Sequence, residues 1–236
     1  MTEIELKLRL TPADALRLQA HPALRGVMPV QHRLGNVYLD TRDAQLRQHG
    51  LALRLRRLDD DWLQTLKTSA SSEAGLTRRL EWEVPISGGA LELSAFPPEA
   101  QARLTPPNLP AGLLAAIEPC FSTDFQRRAW RFDFAGAALE VALDEGEICA
   151  AGRTEPLCEL EIECFSGAPA AVLDLALVLL DDLPLQPEAR SKAQRGYVLA
   201  GMQPPVPAAP ELSREAIRTA WLEMRTRLAT SDQIAG

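Results

Sequence analysis

Hydrophobic and ionic residues alternate with a period of two from the start of the chain, where Ile4, Leu6 and Leu8 interleave with Glu3, Glu5, Lys7 and Arg9. A period of two marks a β-strand, because successive side chains point to opposite faces. One face of this strand is aliphatic, and the other carries carboxylates and bases together. The pattern recurs along the chain. Arg54 and Arg56 alternate with Leu53 and Leu55, and Thr65 and Lys67 sit opposite Trp62, Gln64 and Leu66 in a weaker alternation. Arg79, Glu81 and Glu83 oppose Leu80, Trp82, Val84 and Ile86. Arg127, Arg131 and Asp133 oppose Trp130, Phe132 and Phe134, with Arg128 the exception on the apolar side. Glu140 and Asp144 oppose Leu139, Val141 and Leu143, while Glu159, Glu161 and Glu163 oppose Cys158, Leu160, Ile162 and Cys164.

Helices are expected between and after these runs. Thr11-Pro12 supplies an N-cap and a proline at the first helical position for a helix reaching about Ala20. A short helix follows Asp40-Thr41 and stops at Gly50, and another lies near Leu113 to Ile117. The segment from Ala168 to Leu183 is apolar but interrupted by Asp174 and closed by Asp181-Asp182, too short and too charged to span a bilayer. It reads as a buried helix on the outside of the sheet. Gly88-Gly89 and the prolines between Pro97 and Pro110 separate two strand groups, 1–86 and 125–165, which are candidates for matching halves of one structure. The composition changes after Tyr197. Residues 1–203 form one domain, and 204–236 a proline-rich linker and a helix carrying Ile217, Trp221, Met224 and Leu228 at helical spacing. That stripe either docks on the first domain or opens a second, helical one.

An ordinary half-exposed sheet would scatter many kinds of polar residue over its wet faces. Here those faces are nearly all Arg, Lys and carboxylate. A closed antiparallel β-barrel with helices packed outside, an α+β fold, accommodates them by turning the ionic faces inward and leaving no free edges. Such an interior has to be wet and matched to a charged ligand, since an unpaired buried charge costs several kcal/mol by the roughest measure. Mixed bases and carboxylates in one cavity suit a polyanion accompanied by divalent cations. The net charge of −7 argues against a general nucleic-acid binder. Cys120, Cys149, Cys158 and Cys164 form no CxxC pair and read as buried free thiols. The first ionic motif begins at residue 3, which leaves no room for a signal segment and makes the cytoplasm the expected location.

Taken in order, Glu3-Ile4-Glu5-Leu6-Lys7, Tyr38-Leu39-Asp40-Thr41, Leu53-Arg54-Leu55-Arg56, Thr65-Leu66-Lys67, Glu81-Trp82-Glu83, Glu140 with Asp144, Glu159-Leu160-Glu161 and Ser191 to Tyr197 resemble the CYTH domain of the triphosphate tunnel metalloenzymes. The resemblance runs to about residue 202. The stretches Ser122 to Phe125, Ala142 to Glu147 and Cys158 to Glu161 look most like bacterial inorganic triphosphatases in which a CHAD domain follows, so the C-terminal helix is a candidate for the start of such a domain.

The resemblance implies hydrolysis of inorganic triphosphate, or another small triphosphate, to pyrophosphate and phosphate inside the barrel. It also implies two ions, Mg²⁺ or Mn²⁺, one bridging the phosphate chain and one orienting or activating the attacking water. Lys7, Arg54, Arg56, Lys67, Arg79, Arg127, Lys192 and Arg195 are the expected cradle for phosphate oxygens. Glu3, Glu5, Glu159 and Glu161 are the expected metal ligands, with Glu81, Asp144, Glu140 and Glu163 as further candidates. Catalytic roles fall to Glu5, Lys7 and Glu161, Lys7 either touching the reacting phosphate or serving as base. Arg9, Arg131 and Asp133 read equally well as ion pairs at the mouth, and Glu83 and Glu163, each two residues beyond a better-placed carboxylate, as outside the ligand's reach. His21, His32 and His49 are expected in helices or loops away from the ionic strands, and Tyr38, Asp40 and Thr41 as a strand end and cap. Class IV adenylate cyclase, thiamine triphosphatase and a noncatalytic polyphosphate-binding module remain as alternatives. Neither nucleic acid nor membrane is an expected partner.

Overall fold

The alternating segments fold as strands of one antiparallel sheet. The computed structural model describes residues 2–206 and 210–234. Its strands are β1 (Thr2–Arg9), β2 (Val30–Asp40), β3 (Leu51–Leu58), β4 (Asp61–Thr68), β5 (Ser71–Glu73), β6 (Leu76–Ile86), β7 (Glu118–Phe134), β8 (Ala137–Ala150), β9 (Arg153–Ser166) and β10 (Gln186–Pro187). The helices are α1 (Pro12–Gln19), α2 (Gln45–Gln48), α3 (Pro98–Arg103), α4 (Ala170–Asp182), α5 (Lys192–Leu199) and α6 (Arg214–Ile234).

Eight of the strands close on themselves in the order β1, β9, β8, β7, β2, β3, β4, β6, and the ring is completed by β6 pairing back onto β1. β1 closes the ring, pairing with β6 through Thr2 to Leu6 and with β9 through Glu5 to Arg9, so the strands of residues 1–86 form one contiguous arc of the barrel and β7, β8 and β9 the other. The register keeps the ionic faces together: Glu3 lies opposite Arg79, Lys7 opposite Glu161, Lys67 opposite Glu81 and Arg127 opposite Asp144.

The aliphatic faces turn outward under cover. Leu6, Leu8, Val141, Leu143, Leu160 and Ile162 pack beneath α4 and α6 in the largest apolar cluster, to which Ile217, Trp221 and Met224 of α6 belong. A Leu→Ala change among such residues costs about 2–5 kcal/mol through lost burial and the cavity left behind. Leu53, Leu66 and Trp82 are covered instead by the connection between β6 and β7, through Phe96, Ala100, Leu104, Leu109 and Leu113. The C-terminal stripe is thus buried against α4 and the barrel wall. Ion pairs from Arg218 to Asp181 and from Arg225 to Asp174 flank it.

Several expectations change. β2 and α5 were not read as a full strand and a helix, and the turn near Leu113 is a 3-10 turn ending at Ala116. The four cysteines are free but half-buried. Thr11 does cap α1, accepting from the Asp14 amide at 3.2 Å, and Gly50 has the left-handed backbone (φ +73°) expected at the end of α2. Asp40 is fully buried: its carboxylate accepts from the amides of Thr41, Leu46 and Arg47 and from the Tyr197 hydroxyl at 2.7 Å, tying α2 and α5 to β2.

Candidate functional site

The barrel encloses a cavity of about 1300 Å³. Its walls carry Glu3, Glu5 and Lys7 from β1, Arg54 and Arg56 from β3, Lys67 from β4, Arg79, Glu81 and Glu83 from β6, and Arg127 and Arg131 from β7. Glu140, Glu161 and Glu163 join them from β8 and β9, with Lys192 from α5. Every other residue of a strand faces inward, so a short repeat such as Glu3-x-Glu5-x-Lys7 puts three ionic groups in line on one wall.

The carboxylates and bases hold one another. Arg79 reaches Glu3 at 2.5 Å and Glu5 at 2.6 Å, and Lys7 reaches Glu5 at 2.7 Å. Lys67 bridges Glu3 (3.0 Å) and Glu81 (2.7 Å). On the far wall Arg127 makes a two-pronged contact with Asp144, both distances 2.7 Å, and touches Glu161 at 2.6 Å. Lys192 sits at the first turn of α5, where Ser191 caps the helix, and its ammonium lies 2.8 Å from each of Asp144, Glu159 and Glu161. α5 comes this close because Gly196 has no side chain: a Cβ there would lie 2.1 Å from the Phe121 ring.

These pairings set the titration of each group. Burial opposes the Lys192 charge, but Asp144, Glu159 and Glu161 outweigh it and hold the ammonium well above the usual lysine range. Glu159 is pushed up to about 7 by burial and its neighbour Glu161, against the pull of Lys192. Glu161 faces the same burial, yet Lys192 and Arg127 hold it well below the usual carboxylate range. Glu159 is thus under-compensated, and so are two groups that line the lumen. Burial and the adjacent Arg54 bring Arg56 down to about 10, with Glu83 opposing them. Burial, then Glu3 and Glu5, push Glu163 up to about 8.

Most of the expected site residues meet in this lumen. Asp144 and Glu159 lie just behind its surface, fully buried beneath Lys192. Arg195 is drawn away: it binds Glu155 at 2.8 Å, Glu159 at 3.4 Å and the Pro156 carbonyl, so it supports the wall and does not line it. Arg131 and Glu83 do line the cavity, whereas Asp133 is exposed outside it. Arg128, the exception in the alternation, is paired with Glu145 at 2.6 Å away from the lumen. His32 lies on β2 at the cavity wall, bound to Asp59, contrary to the loop or helix expected.

Behind the lumen surface, buried Thr65, already in the alternation of β4, accepts from Arg54 Nε and donates to Glu83. Buried Asn36, which the alternation of charge passes over, accepts from Arg56 Nε at 2.9 Å and donates to Thr123 at 2.8 Å. Its signal is the alternation of Asn36 and Tyr38 along β2. Tyr38 also faces inward, stacked on Phe121 with centroids 4.5 Å apart.

Among the described residues no three carboxylate, histidine or cysteine groups stand ready as a metal cage. The donors present are nonetheless all oxygen, the set hard divalent cations take. Each of Glu3, Glu5, Glu81, Asp144, Glu159 and Glu161 is held by a base. The donor chemistry therefore fits Mg²⁺ or Mn²⁺.

A closed antiparallel barrel with bases and carboxylates facing its lumen defines a class of protein whose site is the inside of the barrel. Residues 1–197 match the CYTH domain model, and the chain belongs to the CYTH domain family. An inorganic triphosphatase of Haemophilus influenzae is 34% identical over 206 residues, 86% of this chain and 56% of that protein. The chain thus spans little more than half the length of this relative. Among solved structures, a Hippeastrum protein described as a candidate adenylyl cyclase with a dominant triphosphatase activity aligns with a TM-score of 0.63 at 21% identity, covering 83% of this chain and 95% of that one. A Pyrococcus horikoshii OT3 protein aligns with a TM-score of 0.52 at 18% identity, covering 82% and 97%. These two likenesses are of fold. No helix among the described residues is long and apolar enough to cross a membrane.

Proposed function

We propose that this protein hydrolyses inorganic triphosphate to pyrophosphate and phosphate within the barrel, with Mg²⁺ or Mn²⁺ as cofactor. The observation that carries this reading is the lumen itself, where buried bases and carboxylates on facing walls are matched to a short polyanion and the cations that accompany it. The likeness to an inorganic triphosphatase supports it.

In this reading Arg54, Arg56, Lys67, Arg79 and Arg127 grip the phosphate oxygens, the guanidinium groups through paired N–H donors. Lys192 and Lys7 add compact positive charge at the end nearest α5 and along β1. Lys7, beside Glu5, contacts the reacting phosphate and stabilises the charge that grows on it. Glu3, Glu5, Glu81 and Glu161, which face the lumen, would hold the divalent ions, with Glu159 and Asp144 behind them, and the ions when bound supply charge neutralisation and an activated water. Phosphoryl transfer asks little covalent chemistry of the protein, so positioning and charge do most of the work.

The test is phosphate release from tripolyphosphate, ATP and thiamine triphosphate side by side, each with Mg²⁺, Mn²⁺ or EDTA. Tripolyphosphate should be turned over fastest, and EDTA should abolish turnover. Cyclic AMP from ATP without phosphate release from tripolyphosphate would replace this reading with that of a cyclase.

A further inference from the structure

Ala74 has a left-handed backbone (φ +45°), and so does the next residue, Gly75 (φ +90°). Together they form the tight turn from β5 into β6, a conformation that alanine adopts reluctantly because its Cβ crowds the backbone. Contacts from outside hold the turn. Trp221 of α6 is fully buried, and its ring N–H donates to the Ala74 carbonyl at 3.1 Å. Arg227 of the same helix reaches Glu73 at 2.5 Å.

The turn's other side abuts β1. The Lys7 amide donates to the Gly75 carbonyl at 3.0 Å, and a Cβ on Gly75 would lie 2.8 Å from the Lys7 carbonyl. Lys7 is also where β1 changes partners along this edge, Leu6 lying opposite Leu76 of β6 and Leu8 opposite Pro187 of β10. Its carbonyl accepts from the Glu188 amide at 2.9 Å. The Lys7 backbone thus spans the closing seam of the barrel, held there by a turn that is itself held by α6.

We infer that Trp221 is a positioning residue: through the β5–β6 turn, α6 sets the backbone of Lys7 and so the place of its ammonium in the lumen. The consequence for turnover rests on the triphosphatase reading, whereas the tie at the seam does not.

Amide hydrogen exchange on the full chain, with tripolyphosphate kinetics on the same preparations, tests this. Trp221→Phe keeps a ring in the core and removes the donor. The Lys7 amide should then exchange about five- to tenfold faster, while that of Leu53 on β3, in the other apolar cluster, keeps its rate. Glu73→Ala changes only an exposed side chain, so folding is not at stake, and it should speed Lys7 exchange by about twofold. Arg225→Ala unties α6 from Asp174 without touching the turn and should leave Lys7 exchange unchanged. In Trp221→Phe, kcat should fall severalfold with KM steady to within about twofold, because the rest of the cradle is untouched.

Equal acceleration at Lys7 and Leu53, or none at Lys7 in either turn variant, would overturn the tie. Faster Lys7 exchange with kcat unchanged would overturn its reach into the lumen. A wild-type protein inert toward tripolyphosphate would refute the functional reading while the exchange comparison still decided the seam.

Discussion

On the β3 wall of the lumen, Arg56 stands beside Arg54 and shares the Glu83 carboxylate with it, at 3.2 and 3.3 Å. On the β9 wall, Glu163 lies opposite Glu5 of β1 on one side and Glu140 of β8 on the other, and it makes no ion pair among the described residues. Both groups are largely withdrawn from water: burial and then Arg54 bring Arg56 down to about 10, and burial and then Glu3 and Glu5 push Glu163 up to about 8. Contrast the Lys192 cluster, where one ammonium is surrounded by three carboxylates and stays firmly charged. A purely structural ion-pair network would be expected to compensate its charges evenly. This lumen instead leaves Arg56 short of negative charge and Glu163 short of positive charge, which in the proposed reading an added anion and an added cation would supply.

The comparison breaks most visibly at a carboxylate proposed to hold a metal ion. Glu161→Gln should lower the rate of phosphate release from tripolyphosphate by about a hundredfold or more, with the substrate still bound, because charge stabilisation in the transition state is lost. Steady-state kinetics beside equilibrium binding will separate the two effects, and near-normal turnover would remove Glu161 from the site.

Arg56→Ala addresses the β3 wall. Its KM for tripolyphosphate should rise by about tenfold, the range of one charge-assisted hydrogen bond to phosphate. An unchanged KM would mean that the phosphate chain does not reach β3.

Glu163→Gln sharpens the other wall. Removing a carboxylate that lies among carboxylates should raise the melting temperature of the EDTA-treated protein by about 2–4 °C, the equivalent of roughly 1 kcal/mol in a chain of this size. It should also weaken Mg²⁺ binding measured by titration calorimetry. A lower melting temperature would show that Glu163 already has a compensating partner.

The smallest effect is expected one residue along from an important arginine. Arg128→Ala removes a partly exposed pair with Glu145 outside the lumen, so stability should shift by no more than about 1 kcal/mol and turnover should not change. Arg127→Ala, measured in parallel, should impair both. Equal behaviour of the two variants would contradict the division between inner and outer faces.

Much of the lumen was legible because strand alternation is a local signal. Glu3, Glu5 and Lys7 must share a face whatever the rest of the chain does, and so must Arg54 and Arg56, or Glu159, Glu161 and Glu163. The density of charge on those faces was enough to point to a closed barrel and an ionic ligand. Partners across the sheet were not legible, because register depends on segments far apart in sequence. Nothing near Arg195 announces that Glu155 and the Pro156 carbonyl will draw it from the lumen, and nothing near Asn36 announces Arg56 and Thr123. The stripe on α6 was plain from helical spacing, but its partner was not, since an apolar face specifies burial without specifying against what.

The sequence by itself determined which side chains share a face and what kind of ligand that face suits, since both follow from a period of two and from the charges on the residues. Tertiary structure alone decided that β1 closes the ring between β6 and β9, which base holds which carboxylate, and that Arg56 and Glu163 are left under-compensated, because those outcomes are set by contacts between strands brought together only when the barrel closes.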